Sequence, residues 1–175
     1  MLPEHSAIHT IAKNTIAKDP VTKNPVADRP STDRFTELGH IFSITLRVRD
    51  RQPVFSDAVY TRHCVDFLRA LATMTGTRVY AYCLMPDHVH LLLGASPATS
   101  VPRFVGRWKS LCAREWRRRT GRDSFWRRNF RDRVLPTDED PLRAGSHILM
   151  NPLRAGLAQT PDQYAFSGSL VWDLD

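Results

Sequence analysis

Cysteine is scarce in this chain of 175 residues: the three that occur, Cys64, Cys83 and Cys112, are odd in number, far apart and set among apolar neighbours. That excludes a disulfide framework and the paired spacing of a zinc motif, and it fits a reducing cytoplasm. No apolar run approaches the roughly 20 residues of a helical membrane span, and residues 1–34 lack the compact apolar stretch of a secretory signal. Those first 34 residues also contain no aromatic side chain, while Pro3, Pro20, Pro25 and Pro30 interrupt them. Such a segment cannot bury enough surface to offset its ordering entropy, so it reads as a disordered tail. Its acids Glu4, Asp19, Asp28 and Asp33 argue against an organellar transit peptide. The expectation is a soluble protein without a membrane partner, built as one domain over residues 35–175.

Acidic residues are outnumbered by basic ones, 18 against 25, for a net charge of +7. A sequence pI near 9.8 makes a polyanion the first partner to consider. The excess is local. Between Arg103 and Arg133 eleven Arg and one Lys face three acids, a net of +9 that leaves −2 for the rest of the chain. Arginine grips phosphate oxygens with a planar fork, and the interleaved Trp116, Phe125 and Trp126 are candidates to stack on bases, with Trp108 assigned to the core. The surface expected to meet nucleic acid comprises Arg103, Arg107, Lys109, Arg114, Arg117, Arg118, Arg119, Arg122, Arg127, Arg128 and Arg131.

Hydropathy periods divide the ordered part into elements. Residues 41–49 alternate, with Phe42, Ile44, Leu46 and Val48 on one face and Ser43, Thr45, Arg47 and Arg49 on the other, which predicts a half-buried strand. Ser56 is then placed to cap a helix whose apolar stripe is Tyr60, Cys64, Phe67, Leu68 and Leu71 and which should close at Gly76. A second strand over 78–84, a break at Pro86-Asp87 and a third strand through Val89, Leu91 and Leu93 read as a hairpin. A second helix spans 101–119, and a fourth strand spans 131–135. Thr137 with Asp140 resembles a capping box for a third helix that should run to about Asn151 and stop at Pro152. The order β-α-β-β-α-β-α predicts an α+β fold of ferredoxin-like type, an antiparallel sheet with helices packed against it.

Two places carry candidate chemistry. On a strand, His88 and His90 project from one face while Val89 points to the other, and two neutral imidazoles side by side can hold a divalent metal. A pair of hydrogen-bonded surface histidines fits the same pattern. His147 and Asn151, four apart, share one face of the third helix, so Asn151 can add an oxygen ligand if that helix crosses the histidine face. As a bare sequence reading, capping of the helix end by Asn151 before Pro152 is the simpler role.

The run from Tyr82 through Met85-Pro86-Asp87-His88-Val89-His90 to Leu92, the downstream Phe125-Trp126-Arg127-Arg128-Asn129-Phe130-Arg131-Asp132, the block His147-Ile148-Leu149-Met150-Asn151-Pro152-Leu153-Arg154-Ala155-Gly156-Leu157, and Pro161 to Ser167 resemble the REP-associated tyrosine transposases over about residues 38–170. The resemblance implies a single-tyrosine HUH fold acting on single-stranded or hairpin DNA. It places His88, His90 and Asn151 as ligands of Mg2+ or Mn2+, and it implies strand cleavage and joining by a tyrosine nucleophile. It leaves monomer and homodimer both open and puts the work in the cytoplasm, at the nucleoid. One departure stands out: the nucleophile's position, one helical turn before the Asn ligand, is His147. Tyr60, Tyr80, Tyr82 and Tyr164 lie elsewhere. A histidine nucleophile, an extra metal ligand and a DNA-hairpin-binding module without cleavage are the three readings of that change.

Overall fold

Alternation along the first strand is the origin of the sheet. In the computed structural model, which describes residues 39–173, Ile41–Arg47 forms β1 with Phe42, Ile44 and Leu46 buried on one side. The expected disordered tail, and the start of order near Phe35, lie outside the described residues. Val48 continues the buried row as an isolated bridge to Trp126. Two short 3-10 turns, Arg49–Arg51 and Val54–Ser56, then lead into α1, Ala58–Thr75.

Asp57, not Ser56, caps that helix. The Asp57 carboxylate accepts from the Tyr60 amide at 3.0 Å, while Ser56 still belongs to the preceding turn. Gly76 ends α1 in the left-handed region at φ 64°, a conformation that glycine enters without a Cβ clash. Phe67, placed in the apolar stripe, is only partly buried.

Strands β2, Val79–Met85, and β3, His88–Gly94, form the expected antiparallel hairpin. Helix α2, Val101–Thr120, buries Phe104, Val105, Trp108 and Cys112, and β4 covers Arg131–Val134. The third helix differs from expectation at both ends. Asp140 caps α3, Pro141–Leu149, by accepting from the Leu142 amide, so the Thr137-Asp140 capping box does not form. Pro152 does not stop the chain either, because its missing amide costs nothing in the first turn of a further short helix, α4, Asn151–Arg154. A strand of two residues, β5 at Ser167–Gly168, was not anticipated.

The five strands lie in the order β4-β1-β3-β2-β5, with every pairing antiparallel. The first four reproduce the ferredoxin-like arrangement, and β5 extends it. Two cores flank the sheet. Helices α1 and α2 bury Phe42, Ile44, Leu46, Tyr82, Leu84, Val89, Leu91 and Leu93 on one face. On the other, α3 packs Ala144 and Ile148 against Ala81, Cys83, Met85 and Leu92. No described helix is long and apolar enough to cross a membrane.

Candidate functional site

Residues directly opposite one another in an antiparallel pair share a face. The register therefore sets Arg131, Thr45, His90 and Cys83 in one row across the sheet, Arg133, Ser43, Leu92 and Ala81 in the next, and Arg47, His88 and Met85 in the third. All of them lie on the side covered by α3. The residues read from sequence as the polar side of the first strand thus form the floor of a site.

His88 and His90 meet edge to face, with ring centroids 4.9 Å apart and planes at 88°. Each ring is held through Nδ1: that of His88 lies 2.6 Å from Asp87 Oδ1, and that of His90 lies 3.3 Å from Thr45 Oγ1. Neither Nε2 has a hydrogen-bond partner among the described residues. Burial, then the neighbouring His88, then the Arg47 guanidinium push the pKa of His90 down to about 4, so this imidazole is neutral at pH 7 and its lone pair is available.

The roof comes from α3 and α4. Asn151 follows the break between these helices at Met150, and its Nδ2 donates to the carbonyls of His147 and Ile148 at 3.1 and 3.0 Å. The amide thus does cap the helix end, and this assignment leaves Oδ1 as a free acceptor. Between roof and floor lies a cavity of about 710 Å3 lined by Ser43, Thr45, His90, His147 and Asn151 together with Arg133, Arg143 and Arg154. His88 is outside that lining and joins it through its contact with His90. Among the described residues no three His, Cys, Asp or Glu side chains cluster as a metal site, so a cation at the histidine pair would depend on the Asn151 oxygen and on solvent.

The basic residues divide between the two faces. Arg103, Arg107 and Arg114 line a groove of about 690 Å3 between α1 and α2, across the sheet from the histidines. Arg117, Arg118 and Arg119 pair with Asp123, Glu115 and Asp57 on the surface. Lys109 donates to the Arg127 carbonyl, and burial lowers its pKa. Arg122, Arg127 and Arg128 are exposed in and around the loop before β4; of the residues expected to meet nucleic acid, Arg131 is the one that the strand register turns toward the histidine face. The aromatic residues proposed to stack on bases do not present themselves for it: Phe125 and Trp126 are buried, and Trp116 is partly buried against Tyr60 and Phe125.

Sequence reasoning passed over Arg143 and Arg154. A signal was present, since Arg143 precedes His147 by four residues and Arg154 follows Asn151 by three, the spacings that keep side chains on one helical face. Ser43 and Thr45 were seen only as a solvent side, because α3 is distant in sequence.

A family model described as Transposase IS200 like matches residues 38–134, a span that includes His88 and His90 and ends before His147. Over 49 residues the chain is 47% identical to the ISDra2 transposase TnpA of Deinococcus radiodurans, which is 28% of this chain and 35% of that protein. The match therefore spans about a third of that relative's length. In fold the chain is similar to a REP-associated tyrosine transposase solved bound to a REP hairpin, with a TM-score of 0.58 and 14% identity over 81% of this chain and 82% of the other.

Proposed function

Because the chain belongs to the IS200-like transposase family, we propose that it binds single-stranded or hairpin DNA at the α3 face of the sheet, with a divalent cation, Mg2+ or Mn2+, held by His88, His90 and Asn151. The observation that carries this reading is the convergence of His90, His147 and Asn151 on one cavity from a strand and a distant helix end. The donor set suits such an ion: both Nδ1 atoms are engaged, His90 is neutral at pH 7, and the Asn151 oxygen faces no competitor. A cation there supplies neutralisation of phosphate charge. His88 and His90 would bind it, Asp87 and Thr45 would fix the ring orientations, and Arg131 would meet the strand at the sheet edge.

Cleavage through a tyrosine ester is not part of the proposal. The tyrosine hydroxyls are committed elsewhere: Tyr60 donates to the Cys112 carbonyl, Tyr164 donates to the Leu84 carbonyl, and Tyr82 accepts from Arg69. Tyr80 packs on Trp172 and does not line the cavity. The chain therefore reads as a DNA-hairpin-binding member of a cleaving family, working on chromosomal DNA in the cytoplasm.

The test combines anisotropy with a labelled hairpin, Mn2+ titration followed by electron paramagnetic resonance, and denaturing gels. We expect hairpin affinity above that for an unrelated duplex, Mn2+ binding lost in His88→Ala and His90→Ala, and no covalent adduct from the native chain. Absence of hairpin preference would overturn the binding reading. An adduct from the native chain would overturn the non-cleaving one, and its acid lability would assign the bond to His147. An adduct confined to His147→Tyr would support both.

A further inference from the structure

We propose that the cavity beneath α3 receives the terminal phosphomonoester of a DNA strand, gripped between Arg143 and Arg154 with His147 between them. The inference rests on the DNA-binding reading and adds to it which part of the strand the cavity selects.

Arg143, His147, Asn151 and Arg154 follow one another at intervals of four, four and three residues, and all line the same cavity. The two guanidiniums differ from the third in the lining. Arg133 is held bidentately by Glu139 at 2.8 and 3.0 Å, whereas Arg143 and Arg154 form no ion pair among the described residues. Of the two acids in the lining, Glu139 is thereby neutralised, and Asp138 alone opposes two uncommitted cations. Unpaired guanidiniums on one wall of a polar cavity, facing the Ser43 and Thr45 hydroxyls, make a site for a multiply charged oxyanion.

The size and shape of the cavity narrow the ligand. A volume of about 710 Å3 is of the order that takes a nucleotide and exceeds what one ion fills. Ala144 and Ile148, which line the cavity on its inner side, belong to the apolar cluster with Ala81 and Leu92, so a strand cannot thread between α3 and the sheet there. A chain end fits such a dead end better than a chain middle. An end phosphate is also the better anion: it carries close to two charges and three free oxygens at pH 7, against one charge and two oxygens for an internal diester. Two arginine forks and an imidazole supply matching donors.

The experiment uses the full chain and oligonucleotides of one sequence bearing a 5′-phosphate, a 3′-phosphate or no phosphate, read by fluorescence anisotropy. The phosphorylated strand, at one end or the other, should bind about tenfold more tightly than the unphosphorylated one, as expected for charge-assisted arginine contacts. In Arg143→Gln and in Arg154→Gln that ratio should fall below about twofold, and Arg154→Lys should keep part of it. A ratio near one in the native chain, or a ratio that survives in both Gln variants, would overturn the proposal. So would inorganic phosphate or a mononucleotide that displaces the phosphorylated strand at equal concentration, because the strand would then not be the source of the phosphate. Binding of the unphosphorylated strand separately tests the DNA reading, so the two failures are distinguishable.

Discussion

Gly145→Ala puts two effects of opposite sign against each other on the helix that roofs the site. Gly145 lies inside α3, where alanine is favoured over glycine by about 1 kcal/mol of helix propensity. A Cβ built there meets the Trp172 ring at 2.6 and 3.2 Å and Ala81 Cβ at 3.6 Å. Carbon atoms pack best at roughly 3.5–4 Å, so the first contact is too short by about 1 Å while the Ala81 contact is ordinary. Trp172 is partly buried and packs on one side against Tyr80, which limits its retreat. Its ring lies 5.4 Å from that of Tyr80, and its amide donates to Ser169 Oγ at 2.9 Å. Overpacking of this kind costs about 1–3 kcal/mol, so the overlap outweighs propensity and a net loss of about 1 kcal/mol is expected. Urea denaturation of the native chain, Gly145→Ala, Trp172→Ala and the double variant isolates the cause. In the Trp172→Ala background the glycine substitution should become neutral or stabilising. Stability of Gly145→Ala equal to or above that of the native chain, or a loss unchanged by removing Trp172, would refute the reasoning. Asn151, the proposed oxygen ligand, is tied to the end of the same helix through the His147 and Ile148 carbonyls, so the variant should also weaken Mn2+ binding.

Acid should destabilise the metal-free chain through His90. Its folded pKa of about 4 lies below the ordinary 6.5, so the unfolded chain takes the proton first; stability present above pH 6.5 is lost as pH falls toward 4, by at most about 3 kcal/mol. Denaturation in chelator at stepped pH should show this slope in the native chain and a shallower one in His90→Gln, and identical slopes would contradict it. Trp108→Phe removes the buried donor that reaches the Cys64 carbonyl at 2.9 Å, and it should cost about 2–3 kcal/mol by thermal or urea unfolding; a cost within about 0.5 kcal/mol would mean the carbonyl finds another partner. Asp87→Asn keeps the size of the group beside His88 Nδ1 and removes its charge, so Mn2+ affinity should fall about tenfold or more, with an unchanged affinity ruling out orientation by this carboxylate.

Local periodicity made much of the fold legible. Phe42, Ile44 and Leu46 announced β1 because alternation is a property of adjacent residues, and Gly76 announced the end of α1 because its left-handed cap is local. Errors arose where two nearby groups compete for one role. Ser56 and Asp57 can both cap a helix, and Asp57 prevails because Ser56 is used by the turn before it. Thr137 lost to Asp140 in the same way, with Glu139 drawn off to Arg133. Phe125 and Trp126 looked available for stacking because nothing in their own segment buries them; their burial depends on Val48, Phe55 and Tyr60, far away in sequence. The histidine pair was visible from its spacing, whereas the hydroxyl floor at Ser43 and Thr45 requires knowing which face α3 covers.

The division of charge between the faces constrains how any strand could use this chain. Arg103, Arg107 and Arg114 open onto the α1–α2 side, while Arg131, Arg143 and Arg154 lie on the histidine side, so a packed sheet separates the two groups. Packed layers stand about 10 Å apart, which is more than one phosphate can bridge. A nucleic acid that touches both groups must therefore pass round an edge of the sheet. The β4 edge is the route with cations along it, since Arg131 and Arg133 sit on that strand and the exposed Arg127 and Arg128 precede it. The ion pair of Arg117 with Asp123 does not close this route, because a pair exposed on both sides is worth about 1 kcal/mol or less. The edge strand, short and lined with arginine, is thus the element through which the helical basic surface and the histidine cavity can serve one substrate.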